Sequence, residues 1–201
     1  SSDGAIGGSL TNSKDKAQYL ARLEETIAVA KKLKCNKMIT CTGNIQEGVS
    51  LEAQHNSVLE MLSSAVAIAE KEGITLLLEA LNSTIDHPGY YLTSSKKGFD
   101  IVKQIGSPNL KLLFDIYHMQ IMEGNVISNI QKNLDVIGHF HSAGVPGRCE
   151  LFKGELDYHQ VFNFIEEQGY QGSFGLEYAP SLPDHRQSLR EIKSYLLGDA
   201  Q

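Results

Sequence analysis

The feature that most constrains this chain is an alternation. Short apolar runs that read as strands take turns with amphipathic stretches that read as helices, almost from end to end. Ala17, Leu20, Leu23, Ile27, Ala30 and Leu33 form one stripe at three- and four-residue spacing, which predicts a helix over 14–34 with Ser13 as its cap. A strand over 37–42 follows. Ser50 opens a second helix, and Gly73 stands where a left-handed backbone ends it. ITLLLE (74–79) is continuously apolar, as suits a strand of a parallel sheet buried on both faces. A loop over 82–91 leads to a helix that starts at Ser94 or Ser95 and stops at Gly106 and Pro108. LKLLFD (110–115), a helix over 125–134, VIGHFH (136–141), a helix over 157–168, SFGLE (173–177) and a helix over 184–197 complete the series.

One helix followed by five strand–helix units implies a parallel sheet with right-handed crossovers. A doubly wound open sheet and a (β/α)8 barrel both fit. The first strand ends in TCTGNIQEG, without the G-x-G-x-x-G turn, which weakens the dinucleotide-binding open sheet. A whole barrel takes about 250 residues, so the barrel reading leaves roughly three units outside these residues. The start at Ser, in a Gly/Ser-rich stretch, agrees with a processed terminus or a piece of a longer chain.

Composition narrows the function classes. With 201 residues, 41% of them hydrophobic, the chain can bury one core. A formal net charge of −6 offers no dominant basic face, so no nucleic-acid partner is expected. No run approaches the roughly 18 apolar residues that span a bilayer, and SSDGAIGGSL lacks the charged and apolar regions of a secretory signal. Cys35, Cys41 and Cys149 are too few and scattered for a disulfide framework or a zinc knuckle. The expectation is a soluble cytoplasmic protein.

Four of the five expected strands end on Glu79, Asp115, His141 and Glu177. In a parallel barrel all strand C-termini face one mouth, so these side chains would converge. Three carboxylates and an imidazole suit Mg²⁺ or Mn²⁺ and accept Co²⁺ or Zn²⁺. A cation would also relieve their mutual repulsion. The plainer readings are helix caps or a solvated acidic rim. Taken alone, His118 reads as a cap or core histidine and Arg148 as surface charge. His139 points to the same side as His141 but deeper. His55, His87, His159 and His185 read as structural, Cys41 as packing, and Tyr90 and Tyr91 as packing or a shield for the site.

LLLEALN (76–82), FDIYHMQIMEGN (114–125), IGHFHSAGVPGR (137–148), GELDY (154–158) and GLEYAP (175–180) resemble the hydroxypyruvate isomerase family. That family belongs to the xylose-isomerase-like group of TIM barrels, which also holds the ketose 3-epimerases. The resemblance implies one domain over 1–201 that carries the last five βα units of a barrel and lacks the first three strands. It implies Glu79 and Glu177 as catalytic carboxylates and metal ligands, Asp115 and His141 as the remaining ligands, and His118 and Arg148 as substrate contacts. At position 141 the best-known hydroxypyruvate isomerases carry Gln, whereas the ketose epimerases carry His.

The implied activity is metal-dependent interconversion of hydroxypyruvate and tartronate semialdehyde (2-hydroxy-3-oxopropanoate) on a small hydroxy-carbonyl substrate. The alternatives are a ketose 3-epimerase, a related barrel that cuts DNA at abasic sites, and an inactive fragment or small-molecule binding protein. The DNA-cutting barrel needs more strand-end His ligands and a cationic cradle. The last alternative follows from two open sheet edges, which also favour a homo-oligomer.

Overall fold

The alternating pattern folds as a five-stranded, all-parallel sheet in the order β1-β2-β3-β4-β5, the geometry of a half-barrel. The strands are β1 (Lys37–Cys41), β2 (Thr75–Glu79), β3 (Leu110–Asp115), β4 (Ile137–Ser142) and β5 (Phe174–Leu176). Between and around them run α1 (Lys16–Lys32), α2 (Leu51–Glu72), α3 (Ser95–Ile105), α4 (Ile116–Met122), α5 (Val126–Gln131), α6 (Tyr158–Glu167) and α7 (His185–Leu197). This computed structural model describes residues 6–198; residues 1–5, the front of the Gly/Ser-rich start, and 199–201 lie outside the described residues. Among the described residues no helix is long and apolar enough to cross a membrane.

Side-chain alternation sorts the sheet into two faces. Leu76, Leu78, Leu110, Leu112, Phe114 and Phe140 face the helices and form the main core with Val58, Leu62, Ala65 and Ala69 of α2. Helix α3 comes so close that a Cβ on Gly98 would lie 2.5 Å from Leu112 Cδ1. Side chains of the other parity, including Leu77 and Leu113, point to the inner face.

Capping sets most helix starts. Ser50, Ser94, Asp157 and Asp184 each accept a backbone N–H of the first turn, and Gly73, Gly106 and Gly198 end their helices in the left-handed region. Several expected boundaries move. Asn12, not Ser13, is the first cap; it opens a 3₁₀ turn over Ser13–Asp15, and α1 begins only at Lys16. The helix expected over 125–134 is the shorter α5 plus a 3₁₀ turn, Leu134–Val136, which delays β4 to Ile137. Helix α4 was not expected at all. Its seven residues are too few for a helical stripe to show, and its cap, Asp115, is also the last residue of β3. Strand β5 stops at Leu176, one residue short of Glu177, although Glu177 N still donates to Ser142 O at 3.1 Å.

One irregularity matters for the site. The β3–β4 register shifts between Leu112 and Leu113: Leu112 pairs with Ile137, but Leu113 pairs with His139. Gly138 is the residue passed over. A Cβ there would lie 2.6 Å from Lys111 Cβ and 2.7 Å from Leu77 Cδ2, so the shift needs glycine.

Candidate active site

Because of that shift, Asp115 lies opposite His141 and not opposite Phe140. Glu79 pairs with Leu113, two residues before Asp115, and His141 pairs with Gly175, two residues before Glu177. Every step is even, so Glu79, Asp115, His141 and Glu177 share the inner face at the strand C-termini. Gly175 makes room: a Cβ there would sit 2.6 Å from His141 Cδ2.

The ligand atoms of Glu79, Asp115, His118 and Glu177 all lie within 4.8 Å of one another. His141 Nδ1 lies 3.5 Å from Glu79 Oε1 and 3.3 Å from Glu177 Oε2. Glu79, Asp115, His118 and His141 are buried, whereas the Glu177 side chain is half-exposed. Among the described residues, Glu79 Oε1 and His141 Nδ1 are buried atoms with no hydrogen-bond partner. Such orphans ordinarily cost about 1–3 kcal/mol each, more when charged.

Asp115 carries both the plain and the functional reading. Its Oδ1 caps α4, accepting from Tyr117 N at 2.8 Å and His118 N at 3.3 Å, and its Oδ2 faces the cluster. Burial, and then the charges of Glu79 and Glu177, push its carboxyl up to about 8. Burial opposes the charge on His141, but Glu177 and Glu79 outweigh it and raise the imidazole to about 10. Contact with His141, helped by Arg148 and opposed by burial, holds Glu177 down at about 2. Three carboxylates thus converge on one imidazole and one guanidinium, and Glu79 Oε1 still makes no hydrogen bond. Orphaned atoms, mutual repulsion and an O/N donor set together fit a divalent cation.

Arg148 and His118 border the cluster. Arg148 sits in the left-handed region at φ 51°, in the turn after the cis Val145–Pro146 bond. Its Nη2 donates to Glu177 Oε2 at 2.8 Å and lies 3.5 Å from His118 Nε2; its Nη1 is 3.7 Å from Asp86 Oδ2. The guanidinium lies over the Tyr117 ring, 5.1 Å from its centroid. His118 Nδ1 meets Asn82 Nδ2 at 2.7 Å, and burial, with Arg148, pushes this imidazole down to about 3.

The structure brings together all six residues singled out from sequence and adds Asn82, Asp86 and Tyr117. Asn82 and Tyr117 stand inside the quoted motifs without a role assigned to them, and Asp86 lies in the 82–91 loop; their contacts with His118 and Arg148 form only in the folded chain. His87, read from sequence as structural, lies beside the site, its ring 5.4 Å from that of His118. Tyr90 does not shield the mouth; its buried hydroxyl accepts from Thr42 N and donates to Glu79 O. His139 lies beside His141, with ring centroids 5.1 Å apart, and Cys41 Sγ is 4.0 Å from Glu79 Oε2.

The family model for the xylose isomerase-like TIM barrel matches residues 3–195. The chain is 39% identical to the hydroxypyruvate isomerase of Escherichia coli over 146 residues, covering 72% of this chain and 56% of that protein. It is 43% identical to the 2-oxo-tetronate isomerase of Cupriavidus necator over 122 residues, covering 61% of this chain and 46% of that protein. The crystal structure titled AP endonuclease, family 2, from Brucella melitensis superposes with a TM-score of 0.88 at 30% identity, covering 94% of this chain and 72% of that one. The chain spans less than two thirds of the length of the curated relatives it matches.

Proposed function

This chain belongs to the xylose isomerase-like TIM barrel family, and on that premise we propose that it carries the active site of a divalent-metal-dependent isomerase interconverting hydroxypyruvate and tartronate semialdehyde. The observation that carries the reading is the convergence of Glu79, Asp115, His141 and Glu177 with two buried polar atoms left unpartnered. We take these four as the residues that hold the ion, Mg²⁺ or Mn²⁺ by their chemistry, and residues 1–201 as one cytoplasmic domain. When bound, such an ion supplies Lewis-acid stabilisation of negative charge on adjacent substrate oxygens.

The chain's own residues do the rest. The isomerisation removes a proton from C3 of hydroxypyruvate, returns one to C2 and moves the hydroxyl hydrogen from O3 to O2. Glu79 and Glu177 flank the site from β2 and from just past β5, so one takes the carbon-bound proton and the other delivers or relays it. Arg148 offers a guanidinium fork to the substrate carboxylate. His118 donates to a substrate oxygen. A carboxylate next to a carbonyl is common to hydroxypyruvate and 2-oxo-tetronate, and the Cupriavidus relative supports the longer acid as a second reading.

The test is turnover by the full-length protein with Mg²⁺ or Mn²⁺ in deuterium oxide, followed by proton NMR. The expected result is interconversion of the two three-carbon acids with deuterium incorporation at the reacting carbons. Action on ketoses without action on hydroxypyruvate overturns the reading in favour of the epimerase. Nicking of an abasic duplex in its place favours the nuclease.

A further inference from the structure

We propose that Asn82 is a positioning residue that holds His118 as its Nε2–H tautomer, and thereby pairs His118 with Arg148 as two donors aimed at one substrate oxygen. The argument begins with the Asn82 amide, which is fully buried. Its Oδ1 accepts from Ile85 N and Asp86 N, both at 3.0 Å, so oxygen and nitrogen cannot exchange places. Its Nδ2 then has two hydrogens and two partners: Asp86 Oδ2 at 2.8 Å and His118 Nδ1 at 2.7 Å. All four hydrogen-bonding positions of the amide are used.

An amide nitrogen only donates, and two donors do not sit 2.7 Å apart. His118 Nδ1 therefore carries no proton, and the ring hydrogen is on Nε2. That hydrogen faces the cluster. Asp115 Oδ2, at 3.6 Å, is too far to be its hydrogen-bond acceptor. Arg148 Nη2, at 3.5 Å, is itself a donor and cannot accept. One hydrogen of Arg148 Nη2 goes to Glu177 Oε2 at 2.8 Å, which leaves its other hydrogen and the His118 Nε2–H side by side, with room for one acceptor oxygen to take both. A ligand carbonyl, carboxylate or hydroxyl oxygen fits that place, and charge gained by that oxygen during reaction strengthens both bonds. The same tautomer removes the Nε2 lone pair, so Asn82 also keeps His118 out of the metal shell although its ring is close to three carboxylates.

The inference rests on the isomerase reading for its kinetic part alone; the tautomer is measured without turnover. The experiment is long-range ¹H–¹⁵N correlation of the histidine rings in the full-length protein with Mg²⁺, with His118 assigned by the signals lost in His118→Gln. The wild type is expected to show an unprotonated Nδ1 and a protonated Nε2. Asn82→Asp keeps the loop-closing acceptor but removes the donor, so the proton is expected on Nδ1. With substrate, its kcat is expected to fall about 100-fold with KM changed far less. A residue serving the loop alone would leave the ring pattern unchanged in this variant.

A wild-type proton on Nδ1, or an Asn82→Asp spectrum identical to the wild type, overturns the proposal. If Asn82→Asp does not fold, Asn82→Ala replaces it: mixed tautomers support the proposal and an unchanged one overturns it. The expected ring pattern in a protein that turns over no hydroxy-carbonyl substrate sinks the isomerase reading and leaves the role of Asn82 standing.

Discussion

Asp115 and Glu150 are both carboxylates buried to within about 1% of full exclusion from solvent, yet their surroundings are opposite. Glu150 lies in the loop two residues after Arg148. Its Oε1 accepts from Ser181 N at 2.9 Å and Ser188 Oγ at 2.8 Å, its Oε2 accepts from Ser181 Oγ at 2.6 Å, and Lys153 Nζ is 3.8 Å away. Burial opposes its charge, but the hydroxyls of Ser181 and Ser188 win and hold the carboxyl down at about 2. Asp115 has two backbone donors on one oxygen and two anionic neighbours, and is pushed up to about 8. The protein completes one carboxylate with its own donors and leaves the other short of positive charge. Glu150 locks the loop of Arg148 to the segment following Glu177, whereas Asp115 belongs to the acidic cluster proposed to hold a cation.

That contrast breaks most visibly in the rate. On the roles proposed for it, Glu79→Gln is expected to lower kcat/KM at least about 1000-fold, by removing a proton-transfer group and weakening the proposed metal shell together. The same change should leave the metal-free protein as stable as the wild type, or about 1 kcal/mol more stable, since it relieves repulsion. Steady-state kinetics beside thermal unfolding in a chelator would check it; a large loss of stability would mean the carboxylates are structural.

Glu150→Gln should do the reverse. It leaves hydroxyl and amide donors facing a neutral group, for an expected loss of about 3 kcal/mol in urea unfolding, with kcat per folded molecule within about tenfold. Its pH dependence carries a definite sign. The carboxyl is depressed from 4.5 to about 2, so its stabilisation is complete above pH 4.5 and fades as pH falls toward 2. Wild type and Glu150→Gln should therefore converge in stability across that acid window. Parallel curves would show that the charge of Glu150 contributes nothing.

The smallest effect sharpens the comparison without touching the rate. Mg²⁺ or Mn²⁺ at about 100 times its dissociation constant should stabilise the wild type by about 2.7 kcal/mol, read as a rise in Tm. Glu150→Gln should gain the same increment from its lower baseline, and Glu79→Gln much less. An equal gain in all three proteins would place the ion elsewhere.

Much of this was legible in the chain. Glu79 and Asp115 end strands whose apolar runs are plain, and their carboxylates stand at the mouth. Glu177 was expected as the end of a strand opening on the same mouth, and the strand stops one residue before it. Helix α4 was hidden because Asp115 serves as strand end and helix cap at once. Asn82, Asp86 and Tyr117 carried no sign of a role, two of them inside quoted motifs, since each acts on a partner about 30 or more residues away in the chain or across a folded loop.

The order of strands and helices was decided locally, by periods of two and of three to four residues, by serine and aspartate caps and by terminal glycines. Those preferences act between neighbours, and so they can be read from the chain. Which side chains meet was decided only when the sheet assembled. Strand register has no local signature: Asp115 faces His141 because the ladder slips by one residue at Gly138, where a side chain would strike Lys111 and Leu77. Without that slip the His141 imidazole would fall on the opposite parity, among the helices, and His118 alone would bring a ring to the carboxylates.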